Sequence, residues 1–388
     1  MDLRLTSVKL RHFRNYEEFS LESIGLLTIF VGQNAVGKTN LLEALQLCTA
    51  LSSFRHPTSE QMMRNGSESA YIEAEETDGN RDLLLSVGVE KGQRRYKLNG
   101  KSKAIVDLKG QLPAVIFTPD DLELAKGSSG VKRDAIDELG AQLTKNYYIV
   151  KRDYEKVIQY KNRLLKEEAS AALVQSIDDT LVTCATQLAF YRMELLGRMA
   201  GALKESYSRI SNGENLSVVY YPSWCDAEFA DGEQKMTRDR IKDLLVAALE
   251  DKHFEERARK RSVVGPHADK IRFFVDGRDV SSYASQGQRR SVVLAWKLAE
   301  VAVIKESLRQ NPVLLLDDVM SELDASRREA LISLVEGDIQ TFVTTTNLDY
   351  FTDDLLSRAS VVELPSSEKH IDLGCSFDFG AYSRGGEQ

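Results

Sequence analysis

Apolar and charged positions interleave from the first residues. Leu3, Leu5, Val8 and Leu10 punctuate a charged stretch and Phe19 with Leu21 begins a second short run, so the opening reads as strands. Leu27-Thr28-Ile29-Phe30-Val31 is a compact apolar run bounded by glycine, as suits a buried strand. A glycine-containing loop follows, and Leu41-Leu42-Glu43-Ala44-Leu45-Gln46-Leu47 is a good helix former. Residues 70–117 read as further β-structure, with apolar runs at Leu83–Val89 and Ala114–Phe117 and a turn at Asn99-Gly100.

The character changes near residue 128. Ile136, Leu139, Leu143, Tyr147, Val150, Tyr154, Ile158 and Leu165 recur mostly at steps of three or four. Leu173, Ile177, Leu181, Cys184, Leu188, Tyr191, Leu195 and Met199 then do the same. These spacings predict two long amphipathic helices, antiparallel and joined near Glu167–Ser170, forming an arm. Residues 212–234 read as irregular, and Thr237 as the N-cap of a helix through Leu249. The β pattern returns at Ile271–Val275 after Gly265-Pro266-His267. A helix from about Arg289 to Leu308, the strand Val313–Leu316, a helix from about Ala325 and the strand Phe342-Val343 complete the ordered pattern. The tail after Pro365, with Gly374, Gly380 and Gly385-Gly386, carries little pattern. The simplest account is an α/β sheet interrupted by a helical insertion. The expected units are residues 1–125 and 265–365 as two parts of one core, 126–264 as the arm, and 366–388 as a tail.

Composition narrows the class. The 388 residues carry 51 Lys and Arg against 59 Asp and Glu, a net charge of −8, with 42 % hydrophobic and 28 % charged residues. That excludes a disordered, collagen-like or disulfide-scaffold chain. Cys48, Cys184, Cys225 and Cys375 are widely spaced and form no CxxC pair, so they are expected to be buried small hydrophobes in a reducing compartment. The N-terminus has no hydrophobic segment of a signal peptide, and no apolar run is long enough to span a bilayer. A soluble, cytoplasmic protein without membrane contact is expected.

Chemistry concentrates first at Gly32-Gln33-Asn34-Ala35-Val36-Gly37-Lys38-Thr39, which fits GxxxxGK[ST] with a strand before it and a helix after it. Backbone N–H groups in such a loop wrap a phosphate, aided by the helix N-terminus. Lys38 is placed to reach the β- and γ-phosphates, and the Thr39 hydroxyl to ligate Mg²⁺. Asp317-Asp318 closes the apolar strand Leu314–Leu316. The first carboxylate would hold the Mg²⁺ shell beside the phosphate loop, and Asp318 would polarise the attacking water.

Ser285-Gln286-Gly287-Gln288, opening a helix, resembles the signature of the ATP-binding-cassette superfamily. In that superfamily the signature acts across a dimer, so Ser285 of one chain would meet Lys38 of the other. Ser321-Glu322-Leu323-Asp324 resembles its D-loop. The long stretch between Lys38 and Gly287 disfavours a transporter cassette, as does Thr344-Thr345-Thr346 where transporters carry a switch histidine. From end to end the chain resembles the RecF family of bacterial recombination mediators. The residues that carry this are Leu10–Tyr16, Gly32–Asn40, Ser53-Phe54-Arg55, Thr118–Leu122, Lys126-Gly127-Ser128, Gly265-Pro266-His267, Ser285–Arg290, Leu298-Ala299-Glu300 and Leu314–Asp324. After Lys-Gly-Ser, relatives commonly continue with a proline and paired arginines; here Ser129–Asp137 lacks that proline.

The resemblance implies an α/β ATP-binding-cassette head with an inserted helical arm, and ATP and Mg²⁺ as cofactors. It implies a weak, DNA-stimulated ATPase used as a switch. An ATP-dependent homodimer would clamp single-stranded or gapped duplex DNA, with RecO- and RecR-type partners aiding recombinase loading. The alternative is a structural clamp like the chromosome-organising ATPases, against which the short arm counts. A nuclease of the overcoming-lysogenisation-defect type would need a further acidic metal-binding domain.

The net charge hides two positive blocks. Lys91, Arg94, Arg95, Lys97, Lys101 and Lys103 form a run of six bases with no acid between them. From Lys145 to Lys166 seven bases, Lys151 and Arg152 among them, face two acids. Arg257, Arg259, Lys260 and Arg261 make a smaller third cluster. Such segregation suits sequence-independent contact with a phosphate backbone. The tyrosines among the arm bases, Tyr147, Tyr148, Tyr154 and Tyr160, are expected to be mostly core.

Overall fold

The computed structural model describes residues 2–211, 213–231 and 236–364; the tail and the glycine of Asp231-Gly232 lie outside the described residues. In chain order the first elements are β1 (Arg4–Phe13), β2 (Tyr16–Leu21), β3 (Leu27–Val31), α1 (Lys38–Cys48) and α2 (Ser59–Met62). Next come β4 (Ser69–Thr77), β5 (Asp82–Glu90), β6 (Gln93–Leu98), β7 (Lys101–Lys103), α3 (Ile105–Leu108) and β8 (Ala114–Phe117). The helical region holds α4 (Leu122–Lys126), α5 (Ser129–Leu143), α6 (Lys145–Lys166) and α7 (Ala171–Ile210). β9 (Leu216–Tyr221), β10 (Phe229–Ala230), α8 (Arg238–Arg259), β11 (Lys270–Val275), β12 (Arg278–Asp279) and α9 (Val280–Tyr283) follow. The chain closes with α10 (Gln286–Leu308), β13 (Val313–Asp317), α11 (Ala325–Val335), β14 (Thr341–Thr345), α12 (Asp353–Arg358) and β15 (Ser360–Glu363).

Three sheets result. The parallel sheet runs β15-β3-β14-β13-β8, the antiparallel sheet β2-β1-β4-β5-β6-β7, and a smaller antiparallel sheet β10-β9-β11-β12. Within the parallel sheet β3, β8, β13 and β14 are buried on both faces, which is why β3, β8 and β13 read as largely apolar runs, while the edge strand β15 is mostly exposed. Phe30, Leu315 and Phe342 face α1 and the six-stranded sheet, whereas Ile29, Leu314, Leu316 and Val343 belong to the core shared with α7 and α10. Helix α1 therefore lies sandwiched, with nine of its residues buried. Gln340 ties the two large sheets: its amide accepts from Leu5 N at 2.8 Å and donates to Leu5 O at 2.8 Å.

Several expectations are refined. The first long amphipathic run is two helices, because Thr144 is extended (φ −145°, ψ 139°) and caps α6 by accepting from Tyr147 N. The expected irregular stretch 212–234 contains β9, whose Val218-Val219-Tyr220 run pairs with β11; its β-branched and aromatic composition was the missed signal. Thr237 does cap a helix, but α8 continues ten residues beyond Leu249. Cys48 is buried as expected, while Cys184 and Cys225 are only half-buried; Cys375 lies outside the described residues.

The helices are fastened to the sheet by a buried polar cluster. Arg192 on α7 donates from Nε and Nη2 to the Asp137 carboxylate, both at 2.8 Å, and from Nη1 to Pro266 O at 2.5 Å. Tyr147 donates to the same aspartate at 2.7 Å. Tyr154 Oη lies 2.6 Å from His267 Nδ1, and a β-carbon on Gly265 (φ +125°) would come within 2.7 Å of that hydroxyl. Gly265-Pro266-His267 is thus an anchor for α6 and α7, and burial lowers the His267 pKa. Breaking a buried pair such as Arg192–Asp137 from one side costs about 3–5 kcal/mol.

Candidate nucleotide site and basic surface

The loop from Gly32 to Gly37 leaves the C-terminal edge of β3, where parallel strands open a crevice. Ala35 (φ 69°) and Gly37 (φ 109°) both adopt the left-handed region, curling the backbone so that α1 starts at Lys38. Gly37 has no room for a side chain: a β-carbon would sit 2.5 Å from Asn15 Nδ2. Asn15 braces the loop by donating to Val36 O at 3.1 Å and accepting from Asn40 Nδ2 at 2.7 Å. Below it Arg14 grips the buried Glu43 at 2.7 and 2.8 Å, and Ser53 donates to the same carboxylate at 2.6 Å. Arg55 donates to Asn40 Oδ1 at 2.6 Å, and its charge also bears on Asp317. Sequence alone assigns no role to Arg14-Asn15 or Ser53–Arg55; in the fold they form the scaffold under the loop.

Lys38 Nζ donates to the carbonyls of Gly32 and Gln33 at 2.6 and 2.9 Å, inside the loop's own curve. Desolvation lowers its pKa, opposed by Asp318 and Asp317. Thr39 Oγ1 donates to Asp317 Oδ1 at 3.0 Å, joining α1 to the end of β13 across 278 positions of sequence. Thr344 on β14 holds both acids: its hydroxyl donates to Asp317 Oδ1 at 2.8 Å and accepts from Asp318 N at 3.0 Å. Burial raises the pKa of each aspartate. Asp318 stands in the left-handed region (φ 51°), and its buried Oδ1 has no hydrogen-bond partner among the described residues. An unsatisfied buried carboxylate oxygen beside a lysine is costly unless a ligand completes it.

The signature segment lies elsewhere in the chain. Ser285 caps α10, accepting from Gln288 N at 3.1 Å, while Gln288 Oε1 accepts from Ser285 N at 2.8 Å. Ser285 and Gln286 are exposed. Gln288 also donates to Glu214 at 2.7 Å. Among the described residues no hydrogen bond or ion pair joins Ser285–Gln288 to Gly32–Thr39. Asp324 caps α11 and pairs with Arg327. The segment lacking the relatives' proline is the first turns of α5, where Lys132 donates to Gly127 O at 2.9 Å.

The basic blocks differ in what their charges face. Lys91, Arg94, Arg95, Lys101 and Lys103 are exposed along β6, β7 and the adjoining turn at the outer edge of the six-stranded sheet, and Lys97 is half-buried. Arg95 pairs with Glu90 at 3.4 Å. On α6, Lys151 pairs with Glu155 at 3.2 Å and Arg152 with Asp153 at 2.9 Å. Arg94, Lys151 and Arg152 line one cleft of about 390 Å³ with Tyr96, Tyr148 and Lys109. Lys109, which no sequence pattern singles out, has its pKa pulled down to about 8 by burial. Lys161 leaves the surface altogether, buried between Asp178 and Glu256 at 2.7 Å each. The third cluster is structural in part: Arg257 donates to Ala169 O at 3.1 Å and Lys260 pairs with Glu168 at 2.6 Å, closing the α6–α7 turn. Tyr147 and Tyr154 are core, whereas Tyr160 is 39 % exposed.

A phosphate-binding type of loop joined through Thr39 to an acid-tipped strand of a parallel sheet, within a mixed α/β fold, defines an ATP-binding-cassette type of ATPase head. The family model "RecF/RecN/SMC N terminal domain" matches residues 4–363. The chain is 33 % identical to the DNA replication and repair protein RecF of Heliobacterium modesticaldum over 376 residues, 94 % of this chain and 98 % of the relative. It is 32 % identical to the protein of that name from Halalkalibacterium halodurans, covering 93 % and 98 %. A solved structure of the recombination mediator protein RecF-ATP in the RecFOR pathway superposes with a TM-score of 0.83 at 28 % identity, covering 91 % of this chain and 94 % of that one. The Smc head domain of Pyrococcus furiosus shares the fold alone, at a TM-score of 0.50 and 14 % identity. The chain belongs to the RecF family.

Proposed function

We propose that this chain is an ATP-dependent DNA-binding protein of replication and recombinational repair, in which bound ATP pairs two chains and hydrolysis separates them. The observation that carries the reading is the junction of Thr39, Asp317, Thr344 and Asp318, with one buried Asp318 oxygen lacking a partner among the described residues. The backbone of Gly32–Gly37 and Lys38 would bind the phosphates, Lys38 turning from the loop carbonyls toward them. Thr39 and Asp317 are oxygen ligands of the kind Mg²⁺ selects and would hold the ion that neutralises phosphate charge. Asp318 would accept the proton of the attacking water, oriented by its unpartnered oxygen. Ser285 and Gln286 face solvent, where they are open to a second chain's site. RecO- and RecR-type partners fit the RecFOR context of the solved relative.

Substituting Ser285→Arg tests the arrangement. Monomers of this variant should bind ATP as before but fail to dimerise, read by a fluorescent nucleotide titration beside sedimentation. Loss of nucleotide binding by the monomer would contradict a signature that acts across the interface.

DNA is proposed to lie along the basic edge of β6 and β7 and the cleft shared with α6. Neutralising Lys91, Arg94, Arg95 and Lys97 should weaken binding to all sequences alike and lower the salt slope by about 0.9 for each duplex phosphate left without a cation. Fluorescence anisotropy across a salt series checks this, and an unchanged slope would move the DNA elsewhere.

A further inference from the structure

Arg327 joins two motifs that lie far apart in sequence. It sits in the first turn of α11, three residues past Asp324, with a side chain only 16 % exposed. Nη1 is ion-paired with Asp324 Oδ2. Nε donates to Ser291 Oγ at 2.9 Å. Nη2 lies 3.3 Å from where a β-carbon on Gly287 would stand, so the guanidinium packs into the space that the signature glycine leaves open. Gly287 and Ser291 are one turn apart on α10, so one arginine lies along one face of the signature helix. A looser link runs beside it, Arg290 to Glu322 at 4.0 Å.

We propose that Arg327 is a positioning residue that clips the D-loop to the signature helix, so that each chain offers both motifs to its partner as one preformed unit. The inference rests on the reading that these motifs act across a dimer. The signature cap and Asp324 are both solvent-exposed, and the long Arg290–Glu322 pair is a weaker tie than the guanidinium seated between them. Ordering the two motifs at the moment of association would subtract from the affinity of pairing, whereas an existing clip removes that cost. Arginine suits the task because its rigid planar fork directs several donors at once, which a lysine ammonium on a flexible stem does not. The bonds made by Nη1 and Nε keep the group within its own chain, so it acts through Asp324 and α10.

The test compares Arg327→Ala, Arg327→Lys and Ser285→Arg. ATP binding by monomers is read with a fluorescent ATP analogue, ATP-dependent dimerisation by sedimentation, and folding by thermal melting. Arg327→Ala should bind the analogue as the unaltered chain does, yet dimerise about 5- to 150-fold more weakly, the range of an energetic coupling between sites. Adding Ser291→Ala to it should cost dimerisation little more, since both changes remove the same Arg327–Ser291 bond; effects that simply add would show independent roles and overturn the proposal. Arg327→Lys, which keeps the charge but not the fork, should fall between, and it carries the same test should the alanine variant melt early. Normal dimerisation of Arg327→Ala while Ser285→Arg fails overturns the proposal. So does loss of the monomer's own ATP binding, which would place Arg327 at its own nucleotide. If Ser285→Arg itself dimerises normally, the across-dimer reading is what has failed, and the clip falls with it.

Discussion

At an ATP concentration just sufficient for the unaltered chain, Lys38→Ala should lose ATP binding and ATP-dependent pairing together. The phosphate loop turns this ammonium inward, where it satisfies the Gly32 and Gln33 carbonyls at 2.6 and 2.9 Å. A charge-assisted hydrogen bond is worth about 1.5–3 kcal/mol, which is roughly a 10- to 150-fold loss of nucleotide affinity. Because ATP is proposed to bridge the chains, the loss in dimerisation must follow the loss in binding. Titration with a fluorescent ATP analogue beside sedimentation at that ATP concentration checks both. A variant that no longer binds ATP but still pairs would separate nucleotide from assembly and refute the switch.

Asp318→Asn has the second large effect, and in the opposite direction for assembly. The amide keeps the shape of the side chain but cannot accept a proton, so hydrolysis should fall by about 10²- to 10⁴-fold, the contribution of a positioned general base. ATP binding persists, and the dimer should accumulate on DNA. The pH dependence carries a sign. Burial raises the pKa of Asp318, so hydrolysis should decline on acidification at a higher pH than an ordinary aspartate would give. Single-turnover hydrolysis across pH reads both effects. Normal turnover by Asp318→Asn would remove this residue from the base role.

The sequence was most legible where one residue type has one physical use. The Gly37 position demands a left-handed backbone with no side chain, and the apolar runs of β3 and β13 are dictated by burial on both faces. Thr237 caps α8 as expected, its side chain accepting from the third helical N–H; Ser285 does the same for α10, which begins at Gln286 and not at the expected Arg289. What could not be read is tertiary. Thr344 orients both aspartates, yet a threonine in a strand is ordinary β composition. Lys161 and Lys151 look alike along α6, but one is buried between two carboxylates and the other lines an open cleft. Helical periodicity carried the apolar stripe through Thr144 because a one-residue break, with helix resuming at once, leaves the spacing nearly intact. Arg14 and Arg55 were conspicuous, but their shared partner Glu43 sits inside a helix that reads simply as a good former.

Everything proposed for the site turns on ATP pairing two chains into a form that grips DNA. Sedimentation of the purified chain with gapped duplex DNA, with and without ATP and beside Lys38→Ala, measures this in one experiment. A DNA-bound dimer should appear only with ATP and be lost in the variant. DNA binding that ignores ATP, or a chain that stays monomeric on the DNA, would contradict the switch.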